Sequence, residues 1–155
     1  MKHEREMNTH RRTLLRIAGI SASLAVVPLA WAQRLEVVKV YKSPTCGCCS
    51  EWVKHMQANG FKVEATDLND VSPIRRRYGV PGALASCHTA IVGGYAIEGH
   101  VPAADIKRLL RERPKAIGLS VPGMVVGSPG MEQGPPEPYN TVIFDAQGYR
   151  VFARH

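Results

Sequence analysis

An α/β domain with elements in the order βαβαββα is what this sequence predicts, and three observations predict it. An apolar β-like run, Val37-Val38-Lys39-Val40-Tyr41, leads through Pro44-Thr45-Cys46-Gly47-Cys48-Cys49-Ser50 straight into a helix-like run starting at Glu51-Trp52-Val53. A Gly93-Gly94 turn joins two short apolar runs, Thr89-Ala90-Ile91-Val92 and Tyr95-Ala96-Ile97-Glu98, as a hairpin should. An amphipathic helix over residues 102–113, with Ile106, Leu109 and Leu110 as its apolar stripe, follows that hairpin. A strand that delivers a C-x-x-C pair to the first turn of a helix, in this element order, is a thioredoxin-like arrangement.

The chain has 155 residues and a formal net charge of +7, which allows one modest domain once a targeting segment is set aside. Residues 1–32 read as that segment. The stretch to Arg16 is basic, residues 17–30 are apolar or small, and Ala30-Trp31-Ala32 offers a cleavage site. Gly19, Ser21, Ser23 and Pro28 interrupt the apolar part, which is too short for a membrane span. His10-Arg11-Arg12-Thr13-Leu14-Leu15-Arg16 resembles a twin-arginine export signal, with a general secretory signal as the alternative. Either route predicts a periplasmic protein. Cleavage removes Lys2, Arg5, Arg11, Arg12 and Arg16 with Glu4 and Glu6, so three of the seven net positive charges leave with the signal. The mature chain is only mildly basic. Arg75-Arg76-Arg77 and the set Lys107, Arg108, Arg111 and Arg113 are then read as solvated helix faces, not as a nucleic-acid surface.

The predicted core occupies residues 35–113, and residues 114–155 add a loop and a hairpin packed on it. The first helix runs from about Cys48 to Ala58 and closes at Asn59-Gly60. Residues 61–66 alternate apolar and polar, as a strand with one covered face does. Ser72 is the expected N-cap of a short helix reaching Tyr78, with Pro73 at its first position. Beyond the third helix, residues 118–132 carry Pro-Gly-Met twice, at Pro122-Gly123-Met124 and Pro129-Gly130-Met131. That composition predicts neither helix nor strand but an ordered wrap or a lid. Its methionines are either soft ligands over the cysteines or fillers of a hydrophobic gap. Residues 141–144 and 149–152, joined by Asp145-Ala146-Gln147-Gly148, form the final hairpin.

Three of the four cysteines fall within four positions at the predicted start of the first helix. Unpaired backbone N–H groups and the positive end of the helix dipole favour thiolate there. Cys46 and Cys49 make the C-x-x-C pair of a dithiol oxidoreductase, which has no use for Cys48. At about 100° per residue Cys48 would point about 200° from Cys46. The three sulfurs converge only if Cys46 lies in the loop and Cys48 and Cys49 in the first turn. Three converging sulfurs suit a soft metal such as Cu(I), while a permanent disulfide with a spare thiol is the plain alternative. Aligning Tyr78-Gly79-Val80-Pro81 to Thr89 by the following strand puts His88 where a thioredoxin has its cis-proline, and Cys87 then faces the first three cysteines. His88 either ligates or packs. His100 caps, packs or ligates at the head of the third helix. His55 is expected on the surface, and terminal His155 is expected to be mobile.

Cys46-Gly47-Cys48-Cys49, Ser86-Cys87-His88-Thr89-Ala90, Glu98-Gly99-His100-Val101-Pro102 and the doubled Pro-Gly-Met resemble, in matching order from Val37 to the C-terminus, the thioredoxin-like CopG-type proteins of bacterial periplasmic copper resistance. The resemblance implies a thioredoxin-like core, copper detoxification through copper oxidation and reduction, and Cys46, Cys48, Cys49 and Cys87 as copper ligands. Structural zinc usually takes two separated cysteine pairs, whereas Cu(I) accepts two or three thiolates and bridging sulfurs let several ions share a site. The expected function is therefore to hold Cu(I) or a small copper cluster, with copper ions, other periplasmic copper-handling proteins or a redox partner as partners. The alternative is a thiol-disulfide oxidoreductase in which Cys46 and Cys49 are catalytic. A structural zinc domain is a third class. No hydrolase nucleophile with its base, phosphate loop or repeat is present in the sequence.

Overall fold

The protein is described by a computed structural model over residues 36–155. The expected export signal and its cleavage after Ala32 lie outside the described residues.

Alternation of side chains along Val37–Lys42 (β1) buries Val38, Val40 and Lys42 on one face, and Gly47–Ala58 (α1) covers that face with Cys49, Trp52 and Met56. Lys62–Asp67 (β2) then runs parallel to β1, completing a βαβ unit. The short helix Ser72–Arg77 (α2) starts one residue earlier than expected. Val71, not Ser72, stands at the N-cap; Ser72 is inside the helix, and the Asp70 carboxylate accepts the Ser72 N–H at 2.8 Å. His88–Val92 (β3) pairs antiparallel with β1 and forms the predicted hairpin with Tyr95–Glu98 (β4). Ala103–Glu112 (α3) buries Ala103, Asp105, Ile106 and Leu109, while Leu110 is only partly covered. Through α3 the order is βαβαββα.

The loop expectation for residues 118–132 fails at its start. Gly118–Ser120 (β5) is a strand that pairs parallel with β4 and antiparallel with Asn140–Asp145 (β6). Its own composition is a poor strand signal, but a buried backbone must pair, and it has a partner on each side. Gly148–Arg154 (β7) closes the predicted final hairpin, with a bulge opposite Thr141 and Val142. The Asp145 carboxylate accepts the Gln147 and Gly148 N–H groups and shapes that turn. The result is one seven-stranded mixed sheet of order β2-β1-β3-β4-β5-β6-β7.

The core gathers Val38, Val40, Trp52, Met56, Ile97, Ile106, Leu109, Leu119 and Ile143, and a smaller cluster holds Val80, Leu84, Val142 and Phe144. Each large aliphatic side chain contributes about 1.5–3 kcal/mol through burial. Among the described residues no helix is long and apolar enough to cross a membrane.

Three expectations about polar residues are corrected by this packing. Arg75 is not a solvated face residue, since its side chain is 17% exposed and its guanidinium is paired with Glu98. His55 is half-buried, and its Nε2 accepts the Ala103 N–H at 3.1 Å, capping α3. His155 is tied down: its backbone pairs with Tyr139, its ring stacks on Tyr139, and its Nε2 lies 2.9 Å from Asp105 Oδ2.

Candidate metal centre

The end of β1 aims the chain at the site. Lys42 is buried except for a few percent of its surface, and its Nζ binds Asp67 Oδ1 at 2.7 Å and Ser43 O at 3.3 Å. The Cys46 N–H closes a turn onto Ser43 O. Cys46 is thus the extended N-cap residue of α1, while Cys48 and Cys49 stand in its first turn. This is the arrangement that convergence of the three sulfurs requires. Cys46 and Cys49 are joined as a disulfide with Cα atoms 5.4 Å apart, and Cys48 and Cys87 are free. Cys48 Sγ lies 3.3 Å from Cys46 Sγ and 3.9 Å from Cys87 Sγ. All four sulfurs fall within 4.8 Å of one another. Cys49 is fully buried and the other three are partly open to solvent.

Cys87 also belongs to a second cluster, in which its Sγ, an His88 nitrogen and an His100 nitrogen lie within 4.8 Å of one another. His100 is fully buried, with Nδ1 2.8 Å from Pro129 O. A carbonyl only accepts, so Nδ1 carries the hydrogen and Nε2 presents its lone pair to Cys87 Sγ, 2.9 Å away. A histidine that donates one ring nitrogen to a backbone carbonyl is oriented as metal-ligating histidines are. His88 packs between Trp52, with ring centroids 4.5 Å apart, and His100, at 5.1 Å. Its Nδ1 is 3.4 Å from Cys87 Sγ, and its Nε2 is buried with no hydrogen-bond partner.

Burial dominates the proton affinities here. Desolvation, reinforced by the neighbouring Cys48, pushes the Cys87 thiol up to about 12. Burial holds His88 well below the ordinary imidazole value, aided by His100, Arg75 and Lys42. Burial also lowers His100, against the opposing effects of the Pro129 carbonyl and the Glu132 charge. Neutral imidazoles with bare nitrogens beside four sulfurs form a soft donor set, suited to Cu(I) more than to Mg²⁺ or Ca²⁺.

The Gly/Pro/Met-rich segment does wrap onto the cysteine helix. A Cβ on Gly130 would lie 2.7 Å from Cys48 O and 2.8 Å from Trp52 N, so only glycine lets the loop rest on α1. That seating brings Pro129 O to His100. Met124 is 57% exposed and fills no gap. Sequence reasoning missed Glu98, Arg75 and the Pro129 carbonyl. The one available signal was an acidic residue ending an otherwise apolar hairpin strand, Tyr95-Ala96-Ile97-Glu98.

A family model described as "Protein of unknown function, DUF411" matches residues 84–131, the span that holds Cys87, His88, Glu98 and His100. Two solved structures are similar, described as "Copper resistance protein copG- Form 2" and "Copper resistance protein copG- Form 1". Each is 46% identical with a TM-score of 0.73 and covers 77% of this chain, which in turn covers 98% and 96% of theirs. No curated protein matches the chain in sequence.

Proposed function

The chain belongs to the family of CopG copper resistance proteins, and from that premise we propose that it holds Cu(I) as cargo on the thiolates of Cys46, Cys48, Cys49 and Cys87. The observation that carries this reading is the gathering of four sulfurs within 4.8 Å on a chain with those relatives. A dithiol reductant, itself oxidised to a disulfide, gives two electrons and two protons to Cys46–Cys49, leaving four thiols whose protons Cu(I) then displaces. Four sulfurs at this spacing can bridge, so more than one ion fits the site. His88 and His100 stand ready as nitrogen donors on the Cys87 side. Bound copper supplies one-electron Cu(I)/Cu(II) chemistry, while the chain's own residues orient the sulfurs and keep water from Cys49. In the same reading the βαβαββα segment is a thioredoxin-like core, residues 1–32 are a cleaved export signal, and copper is handled in the periplasm with other copper proteins or a redox partner.

The disulfide favours a second reading, in which Cys46 and Cys49 exchange disulfides with protein partners. The two readings separate at Cys48 and Cys87. Copper handling predicts that Cys48→Ser or Cys87→Ser lowers Cu(I) uptake by the reduced protein by at least about tenfold in affinity. Dithiol exchange predicts near-normal disulfide reductase activity in both variants. Elemental analysis and X-ray absorption on protein purified from copper-stressed cells give the direct test. More than one copper per chain in a sulfur shell supports a cluster, whereas failure of the reduced protein to take up Cu(I) overturns the copper reading.

A further inference from the structure

Cys87 stands in residues 85–87, which belong to no helix or strand, between the tight turn Gly82–Leu84 and β3. Yet its sulfur must hold two close distances, to Cys48 on α1 and to His100 after β4. Irregular backbone does not keep such a position unaided. The fully buried Glu98 carboxylate supplies the restraint. Its Oε1 accepts the Ser86 N–H at 2.7 Å and Arg75 Nε at 2.8 Å, and its Oε2 accepts the Thr89 hydroxyl at 2.6 Å. One carboxylate therefore grips the residues on either side of Cys87-His88. Arg75 Nη2 also donates to Ser86 O, so both backbone groups of Ser86 are held by this ion pair.

The neighbouring residues complete the device. Gly99 has φ +72, and a Cβ there would lie 2.5 Å from Ser86 Oγ and 2.8 Å from Val121 O. Glycine thus makes room for Ser86, and its own N–H donates to His88 O at 3.0 Å. Within Glu98-Gly99-His100, the first residue holds the Cys87 segment, the second admits it and the third faces the thiol. Burying an ion pair is a poor route to stability, because desolvation offsets the attraction and apolar residues of similar volume often do as well. Charge-assisted bonds, here split by Arg75 between Glu98 Oε1 and Ser86 O, do fix geometry.

We propose that Glu98 and Arg75 are positioning residues for Cys87, holding its thiol and the His88 ring against the sulfurs of α1 while ligating nothing themselves. This rests on the copper reading only where copper is the probe. The test uses reduced protein with Glu98→Gln, whose amide nitrogen cannot accept. In metal-free protein, alkylation by iodoacetamide is followed at each cysteine by mass spectrometry. The Cys87 rate rises about tenfold and the Cys48 rate stays within about twofold, as expected for loss of one charged hydrogen bond on one segment. Cu(I) affinity is then measured by competition with a chromophoric Cu(I) chelator in parent and Cys87→Ser backgrounds. Glu98→Gln weakens binding about tenfold in the first and under about twofold in the second, since the effect runs through Cys87. Equal acceleration at both cysteines, or equal affinity losses in both backgrounds, overturns the proposal in favour of a merely structural pair. If Glu98→Gln does not fold, Arg75→Lys carries the same measurements, because it keeps the charge and loses the fork that reaches Ser86. A parent that binds no Cu(I) overturns the proposed function, and alkylation alone then decides the positioning role.

Discussion

Acidification will destabilise the reduced, metal-free protein well above the pH at which ordinary carboxylates titrate. His88 and His100 are fully buried and neutral in the fold, and burial is the first cause of the downward shift in each. Both folded values lie below the ordinary 6.5 that the unfolded chain regains. Below pH 6.5 the unfolded state therefore binds protons that the native state refuses. Stability is fully present above that value and is lost as pH falls toward the folded values. Each such proton is worth at most about 1.4 kcal/mol per pH unit, so His88 alone removes up to about 2 kcal/mol between pH 6.5 and 5. His100, lowered by burial but held up in part by the Pro129 carbonyl and Glu132, adds to that loss in the same direction, and about 2 kcal/mol is already a large share of the roughly 5–15 kcal/mol that holds a domain together. His55 shifts in the same direction but is half-exposed and adds less. Glu98, pushed up chiefly by burial from 4.5, acts in the opposite sense in the range above that value. Urea unfolding of protein kept with a thiol reductant and a chelator, at steps from pH 7.5 to 5, gives the proton count from the slope. His88→Gln should lower that count by nearly one. A flat profile across the window, or the same slope in parent and variant, would refute burial as the force that keeps these rings neutral.

Two substitutions test the packing around the site. Gly130→Ala should cost about 2–3 kcal/mol in urea unfolding, combining left-handed backbone strain at φ +86 with loss of the His100–Pro129 bond. Gly47→Ala in the first turn of α1, where a Cβ meets nothing within 4 Å, should be neutral or stabilising by up to about 1 kcal/mol, and equal effects at the two sites would exclude the contact of the Gly130 loop with α1 as the cause. His155→Ala should lower stability by about 1 kcal/mol by removing the bond to Asp105, whereas a terminal residue with no structural role would leave the urea midpoint unchanged.

Local pattern made several features legible. The alternation in β1, the Gly93-Gly94 hairpin, the stripe of α3 and the turn at Asp145 are all written in neighbouring residues, and each stands within a residue or two of its expected place. β5 was invisible because Gly118-Leu119-Ser120 has no strand signal of its own and becomes a strand only between β4 and β6. Arg75 looked solvated because helix spacing says which face a side chain takes, not which carboxylate another strand brings to it. His55 and His155 depart from what local position implies for the same reason, since their partners lie 48 and 50 residues away.

By itself, the sequence determined that Cys46, Cys48 and Cys49 share one helix N-terminus, because adjacent residues on a loop and a first turn leave their sulfurs few directions. Only the tertiary structure decided where Cys87 stands, which ring nitrogen of His100 is bare, and what restrains them both. Those facts depend on β3 pairing with β1, on Glu98 reaching back from β4 and on a loop seated on α1 by Gly130. Contacts across 39 residues in the chain, such as Cys48 to Cys87, are products of sheet register and close packing, which no local periodicity encodes.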